Sequence, residues 1–375
     1  MIEEQNDEIK SNFYTLKDLQ DVKVQSMFLQ SETLPFSSLR LQSYLHNPRA
    51  KPEDVLLISI SKSDKIIAYL TMVPDDMHIG IKRLHFVWLS GMWVSPDFRR
   101  RGLGKQLAIL ADEAWEGRLI GTEYTPTNEI VLLSSKIFEL PIYKSGTLFY
   151  YKSIVKEILN TRYPNLKWLS PLYSLIDKTI NVYASVKRKI YFNPNFKSKY
   201  SFIPTKELSE VATKYLNEAP PYSSTNRRST ELQWISDYPW ISSDLTTKEA
   251  SKQYYFSTYS ENYTFDFIEI YHNKSIIGLV VLSFRDGVLK IPYFWASELE
   301  LTELAKYIIN FAQKLGAKKL ISYHSLLNKQ LISKDRFNIF YKRTKRKYLI
   351  SKQLKTDSSL LQFNFEDGDG DCVFV

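Results

Sequence analysis

One segment constrains the fold more than any other: MWVSPDFRRRGLGKQLAILADEAW, residues 92–115. It joins a β-prone run to a helix through a turn that holds Gly102 and Gly104. Leu103, Leu107, Leu110 and Ala114 step by 4, 3 and 4, one apolar stripe of a helical period. The start of a helix leaves N–H groups without intrahelical partners, and its dipole favours anions. Glycines there let a phosphate approach the backbone closely. Arg99, Arg100, Arg101 and Lys105 add positive charge at the same point. The segment therefore reads as a pyrophosphate site on a strand–turn–helix unit. Its spacing differs from G-x-x-x-x-G-K-[ST] and from G-x-G-x-x-G, which disfavours a P-loop NTPase and a dinucleotide-binding fold.

The surrounding chain predicts an α+β sheet. Residues 13–46 read as mainly helical, and VLLISI (55–60), SKSDK and IIAYLTMV (66–73) as a hairpin. LHFVWLSGMWV (84–94) is a long strand with a bulge expected at Ser90-Gly91. After the helix, RLIGTEYT (118–125) reads as a parallel strand, a short helix follows through Phe138, and Tyr143–Val155 is β-prone. Residues 166–190 form a connecting helix, with Leu169, Leu172, Tyr173, Ile176, Ile180 and Tyr183 on one face. The second half repeats the order: FDFIEIY and IIGLVVLSF as a hairpin (265–284), VLKIPYFW (288–295), a helix from Leu301 to Leu315, and KKLISYH (318–324). QFNFEDGDGDCVFV reads as a closing hairpin. These elements predict two similar domains, 1–160 and 196–375, around a linker helix at 161–195.

The net charge of +9 is concentrated. Residues 151–230 hold 14 Lys/Arg against 5 Asp/Glu, the whole excess. Nucleic acid, anionic lipid or an acidic substrate would each suit such a segment, as would a plain solvated face; no nucleic-acid motif accompanies it. The polar, acidic N-terminus lacks a signal-peptide plan, and no apolar run is long enough for a membrane span. A single cysteine, Cys372, fits a reducing, cytoplasmic setting and builds no cysteine metal cage.

Arg99-Arg100-Arg101-Gly102-Leu103-Gly104, after Val94-Ser95-Pro96, resembles the R/Q-x-x-G-x-G/A signature of the GNAT acyltransferase superfamily. The element order over roughly residues 10–155 is similar to that family's. The resemblance implies acetyl-CoA as co-substrate. Met92, Trp93 and Val94 would pair with the pantetheine arm, with the pyrophosphate held by Arg99, Arg100, Arg101, Gly102, Leu103, Gly104 and Lys105. It also implies direct attack of a primary amine on the thioester in a ternary complex. The acceptor would be a small molecule or an amino sugar. Trp88 and Trp93 would favour short acyl chains.

The family often places a tyrosine acid in the late helix, within N-x-x-A-x-x-L-Y. Starting that pattern at Asn128 puts Ser135 where the tyrosine would be. Tyr143 is then the first candidate acid, and Glu123, beside the expected cofactor slot, the candidate base. His85 reads as structural, and Asp75 and Asp76 as a polar turn or a contact for a cationic acceptor. The second half lacks the arginines and glycines. Glu298, Glu300 and Glu303 stand there instead, so that copy is expected to bind no CoA. Asp367, Asp369 and Asp371 alternate as in a calcium loop but lack its terminal glutamate, and read as a turn; no metal is expected. The alternative to an active transferase is a non-catalytic CoA-binding or macromolecule-binding module.

Overall fold

A computed structural model describes residues 9–79, 82–192, 196–221, 223–244, 254–357 and 363–374. The chain forms two compact units that interleave along the sequence, whereas the sequence reading divides it consecutively. One contains the chain up to Tyr143, Thr213–Ser260 and the chain from Arg346 onward; the other contains Lys144–Ala212 and Glu261–Lys345.

The first unit is built on β1 (Ile9–Thr15), β2 (Val55–Lys62), β3 (Lys65–Ile79), β4 (Lys82–Val94), β5 (Leu119–Gly121) and the end of β12 (Phe340–Ile350). The first four strands pair antiparallel in sequence order. β5 is parallel to β4, as the strand–helix–strand pattern requires, and β12 closes antiparallel on β5. The helix Leu103–Ala114 buries Leu103, Leu107, Ala108 and Ala111 against Ile58, Val87, Leu89 and Leu119.

The second unit holds β6 (Ile142–Tyr150), β7 (Ser201–Thr205), β8 (Tyr263–His272), β9 (Ser275–Arg285), β10 (Val288–Trp295) and β11 (Lys319–Ser322). β7 through β10 pair antiparallel, β11 is parallel to β10, and β6 closes antiparallel on β11. Leu301, Leu304, Ile308 and Ala312 of the helix Leu301–Lys314 fill its core with Leu282, Leu289 and Leu320. Each sheet therefore has the same plan, with its last place taken by a strand from far along the chain.

Several local expectations change. Residues 13–46 begin in β1, because the Asp18 carboxylate and Thr15 hydroxyl cap one another's backbone and start the helix only at Leu16. β3 runs on to Ile79, so Asp75 and Asp76 lie inside a strand rather than in a turn. β5 stops at Gly121: Glu123 takes φ +48°, and Thr125 caps the helix Pro126–Ser134. The described part of the closing segment, 363–374, is a buried run of turns in place of a hairpin, since its aspartates have cationic and hydroxyl partners in the interior.

Candidate active site

β4 and β5 hydrogen-bond only at Val87–Leu119, Trp88–Ile120 and Leu89–Gly121. β4 continues to Val94 while remaining paired with β3 on its other side. Among the described residues, the strand edge from Ser90 to Val94 that faces away from β3 is thus open where β5 has ended. A bulge marks the same point: Gly91 has φ +74°, and a Cβ there would lie 2.8 Å from Thr71 Oγ1. Met92, Trp93 and Val94 are half-buried along this edge, and Trp93 stacks on Tyr69 at 5.5 Å.

Beyond the strand, Pro96–Phe98 makes a single tight turn and the chain enters its helix at Gly102, φ +83°, with no side-chain cap. Beyond its own chain neighbours, no atom of the described residues lies within 4 Å of where a Gly102 Cβ would stand. The helix start, where N–H groups lack intrahelical partners, lies beside the exposed side chains of Arg99, Arg100, Arg101 and Lys105. Leu103 points into the core. Gly104 serves a different purpose, since a Cβ there would meet Val131 Cγ1 at 3.1 Å and Met92 Sδ at 3.6 Å. It lets the helices Leu103–Ala114 and Pro126–Ser134 approach beside the strand edge. The expected cofactor-binding residues are brought together in one place.

The opposite face of β4 carries Phe86, Trp88 and Ser90 by strand alternation. Residues 363–374 cover it: Phe365 lies edge-on to Trp88 at 5.2 Å, and Gly370, φ +73°, sits against the Trp88 ring. Ser90 Oγ donates to Asp371 Oδ2 at 2.9 Å and accepts from Arg40 at 2.7 Å. Arg40 also donates to Tyr254, Tyr44 and Thr71, and its guanidinium lies 4.1 Å from the Trp240 ring. Asp371 Oδ1 is buried with no hydrogen-bond partner among the described residues. Burial and the neighbouring Glu123 carboxylate push the Asp371 carboxyl up to about 6. Sequence spacing carries no sign of this group, 281 residues from Ser90.

Glu123 stands just past the end of β5, its carboxylate 3.1 Å from buried Arg346, which also pairs with Asp367. Tyr143 is half exposed, in the electrostatic reach of Tyr124 and Lys347. Burial raises the Tyr124 phenol, whose oxygen is without a hydrogen-bond partner among the described residues. Ser135 donates its hydroxyl to the Leu132 carbonyl at 2.5 Å.

Two readings are corrected or completed here. Asp75 does not await a cationic acceptor, because Arg49 at 2.6 Å, Arg227 at 2.7 Å and Trp88 Nε1 at 2.7 Å already hold it. His85 is structural, bridging Asp76 at 2.9 Å and Asp54 at 2.9 Å. Among the described residues no group of three His, Cys, Asp or Glu side chains is placed to hold a metal.

Residues 22–124 match the model of the acetyltransferase (GNAT) family. The matched stretch contains β2 to β5 and the helix Leu103–Ala114, the elements that frame the candidate site. The second unit repeats the strand plan of the first, with four antiparallel strands, a parallel strand after the helix and a closing antiparallel strand. The chain is similar to a GCN5-related N-acetyltransferase from Kribbella flavida, at 12% identity and a TM-score of 0.46, over 91% of this chain and 71% of that one. A GCN5-related N-acetyltransferase from Anabaena variabilis matches at 11% identity and a TM-score of 0.49, over 94% and 74%. A tandem GNAT protein from the clavulanic acid biosynthesis pathway matches at 12% and 0.42, over 91% and 98%. No curated protein matches the chain.

Proposed function

We propose that the first unit is an N-acyltransferase that moves an acyl group, most simply acetyl, from CoA to a primary amine of a small molecule or amino sugar. One observation carries the reading: an uncapped helix start at left-handed Gly102, open to solvent and ringed by Arg99, Arg100, Arg101 and Lys105, stands directly beyond an unpaired strand edge. The helix start takes the pyrophosphate of CoA. The free groups of Met92, Trp93 and Val94 take the pantetheine amides as an added strand would.

The reaction is direct. An acceptor ammonium gives one proton to a base, and the neutral nitrogen attacks the thioester carbonyl. A backbone N–H near Trp93 steadies the oxyanion. The C–N bond forms, the C–S bond breaks, and the thiolate leaves with the electron pair. The second N–H proton passes to the thiolate, with Tyr143 as the donor that is then refilled. Two carboxylates serve the first step, Glu123 and Asp371. Asp371 is the better placed, because an ion pair with Arg346 already engages Glu123, whereas one Asp371 oxygen has no partner among the described residues.

Titration calorimetry with acetyl-CoA and CoA, followed by thiol release against an amine panel, tests the reading. Binding with turnover is expected. No binding overturns it, and binding without turnover on a broad panel moves the assignment to a non-catalytic CoA-binding module.

A further inference from the structure

The cationic middle of the chain, residues 151–230, contains none of the residues proposed for acyl transfer. Its main element is the helix Ser170–Tyr191, which lies within the second unit. We propose that this helix and the turn before it form an interfacial element that docks the protein on an anionic phospholipid surface.

The helix is mounted with its polar side inward. Asp177 accepts from Ser153 Oγ at 2.6 Å and from the Val155 and Lys156 N–H groups at 2.8 and 3.1 Å. Asn181 accepts from the Ser153 N–H at 2.7 Å, Lys187 donates to the Asn338 carbonyl at 3.0 Å, and Tyr173 is the buried aromatic on that side. Of the face that the sequence groups together, Tyr173 is buried and Leu169 and Ile180 are half-buried, whereas Leu172, Ile176 and Tyr183 are exposed. Spacings of 3, 4 and 7 put Leu172, Leu175, Val182, Val186 and Ile190 on the outer side, in one stripe roughly 100° wide. Leu175 is 61% exposed, Val182 65% and Ile190 67%, and Trp168, one turn earlier, is 73% exposed. A continuous exposed apolar stripe on a soluble-protein helix marks an interaction surface.

Charge selects the occupant. Residues 152–191 contain 8 Lys/Arg against Glu157 and Asp177, and Asp177 is engaged in the hydrogen bonds above. Lys178 and Lys189 flank the apolar stripe and are exposed. A second copy of the helix would bring two such cationic segments together. Nucleic acid would answer the charge and leave the Leu/Val/Ile stripe in water. Anionic lipid answers both, since acyl chains take the stripe, headgroups take the lysines, and Trp168 suits the boundary between them. Among the described residues no helix is long and apolar enough to cross a membrane, so the element lies on the surface.

The test is co-sedimentation of the full chain with vesicles of phosphatidylcholine containing about one-third phosphatidylglycerol, beside vesicles of phosphatidylcholine alone. Pelleting with the first, weakened by salt, and little with the second is expected. Leu175→Glu with Val182→Glu should abolish it while circular dichroism stays unchanged. Lys178→Glu with Lys189→Glu, two fully surface changes that spare folding, should weaken it at least about tenfold. Absence of wild-type binding, equal binding to both vesicles, or full binding by the lysine variant overturns the proposal. So does a dimer that Leu175→Glu with Val182→Glu dissociates, without vesicle binding.

Discussion

Ser90 and Asp371 hydrogen-bond at 2.9 Å where β4 loses its parallel neighbour. Ser90 takes a hydrogen bond from Arg40 and gives one to Asp371, so a buried cation is relayed to a buried carboxyl through one hydroxyl. The second Asp371 oxygen is buried and has no hydrogen-bond partner among the described residues.

Asp371→Asn removes the proposed proton acceptor and keeps the shape. It should lower kcat by about a hundredfold or more with CoA affinity unchanged. With Asp371 as the base the ionised form is the active one, so the wild-type rate should rise with pH through about 6. Glu123 raises the Asp371 carboxyl while Arg40 opposes the shift. Glu123→Gln should therefore move that limb to lower pH and retain most of the maximal rate. Steady-state pH profiles of both variants decide: collapse of the rate in Glu123→Gln, with Asp371→Asn unaffected, makes Glu123 the base.

Gly102→Asp puts a carboxylate at the helix start and forces a side chain onto a φ of +83°. CoA affinity should fall by at least about a hundredfold, from lost attraction and added repulsion together. Gly102→Ala adds only the backbone strain and should lose much less. Equal losses in the two variants, measured by calorimetry on folded protein, would place the phosphates elsewhere.

The strand–turn–helix segment was legible because it is local. The Val94-Ser95-Pro96 strand end, the glycines and the stripe from Leu103 to Ala114 lie within 21 residues, and period and turn chemistry read such a stretch directly. The hairpins and the repeat of the second half were legible for the same reason. What lay hidden depends on distant pairing. Nothing near Ser90 announces Asp371, and the EDGDGD run has the composition of a surface turn although Arg227, Thr225 and Arg346 hold it inside. The end of β12 closes the first sheet on β5, and sequence order alone assigns that place to β6. The helix Ser170–Tyr191 misleads in another way, because an amphipathic pattern shows that two faces differ and not which one is buried.

The second unit repeats the open strand edge, since β10 pairs with β11 only over Val288–Lys290 and continues to Trp295. Its helix start is chemically the reverse of the first. Glu300 occupies the cap position and Glu303 the first turn, with Lys306 2.6 Å from Glu303. Carboxylates there repel a pyrophosphate and occupy the positive end of the dipole. Calorimetry should give one CoA per chain, and a stoichiometry near two would show that the second helix start binds anions despite Glu300 and Glu303.

His85 reports on the first sheet. Burial opposes its charge, but hydrogen bonds to Asp54 and Asp76 outweigh that and raise it to about 9. Asp76 is correspondingly held down to about 2, against its own burial, by His85 and Arg83. A histidine with a raised folded pKa stabilises fully below its unfolded value of about 6.5, and the contribution is lost as pH rises toward 9. Partial solvent exposure reduces the size to about 2 kcal/mol. Wild-type Tm should therefore fall by several degrees between pH 6.5 and 10 beyond any fall in His85→Gln, whose side chain carries no charge to lose. Parallel melting curves for the two proteins across that range would show that the imidazole stays neutral between its two carboxylates.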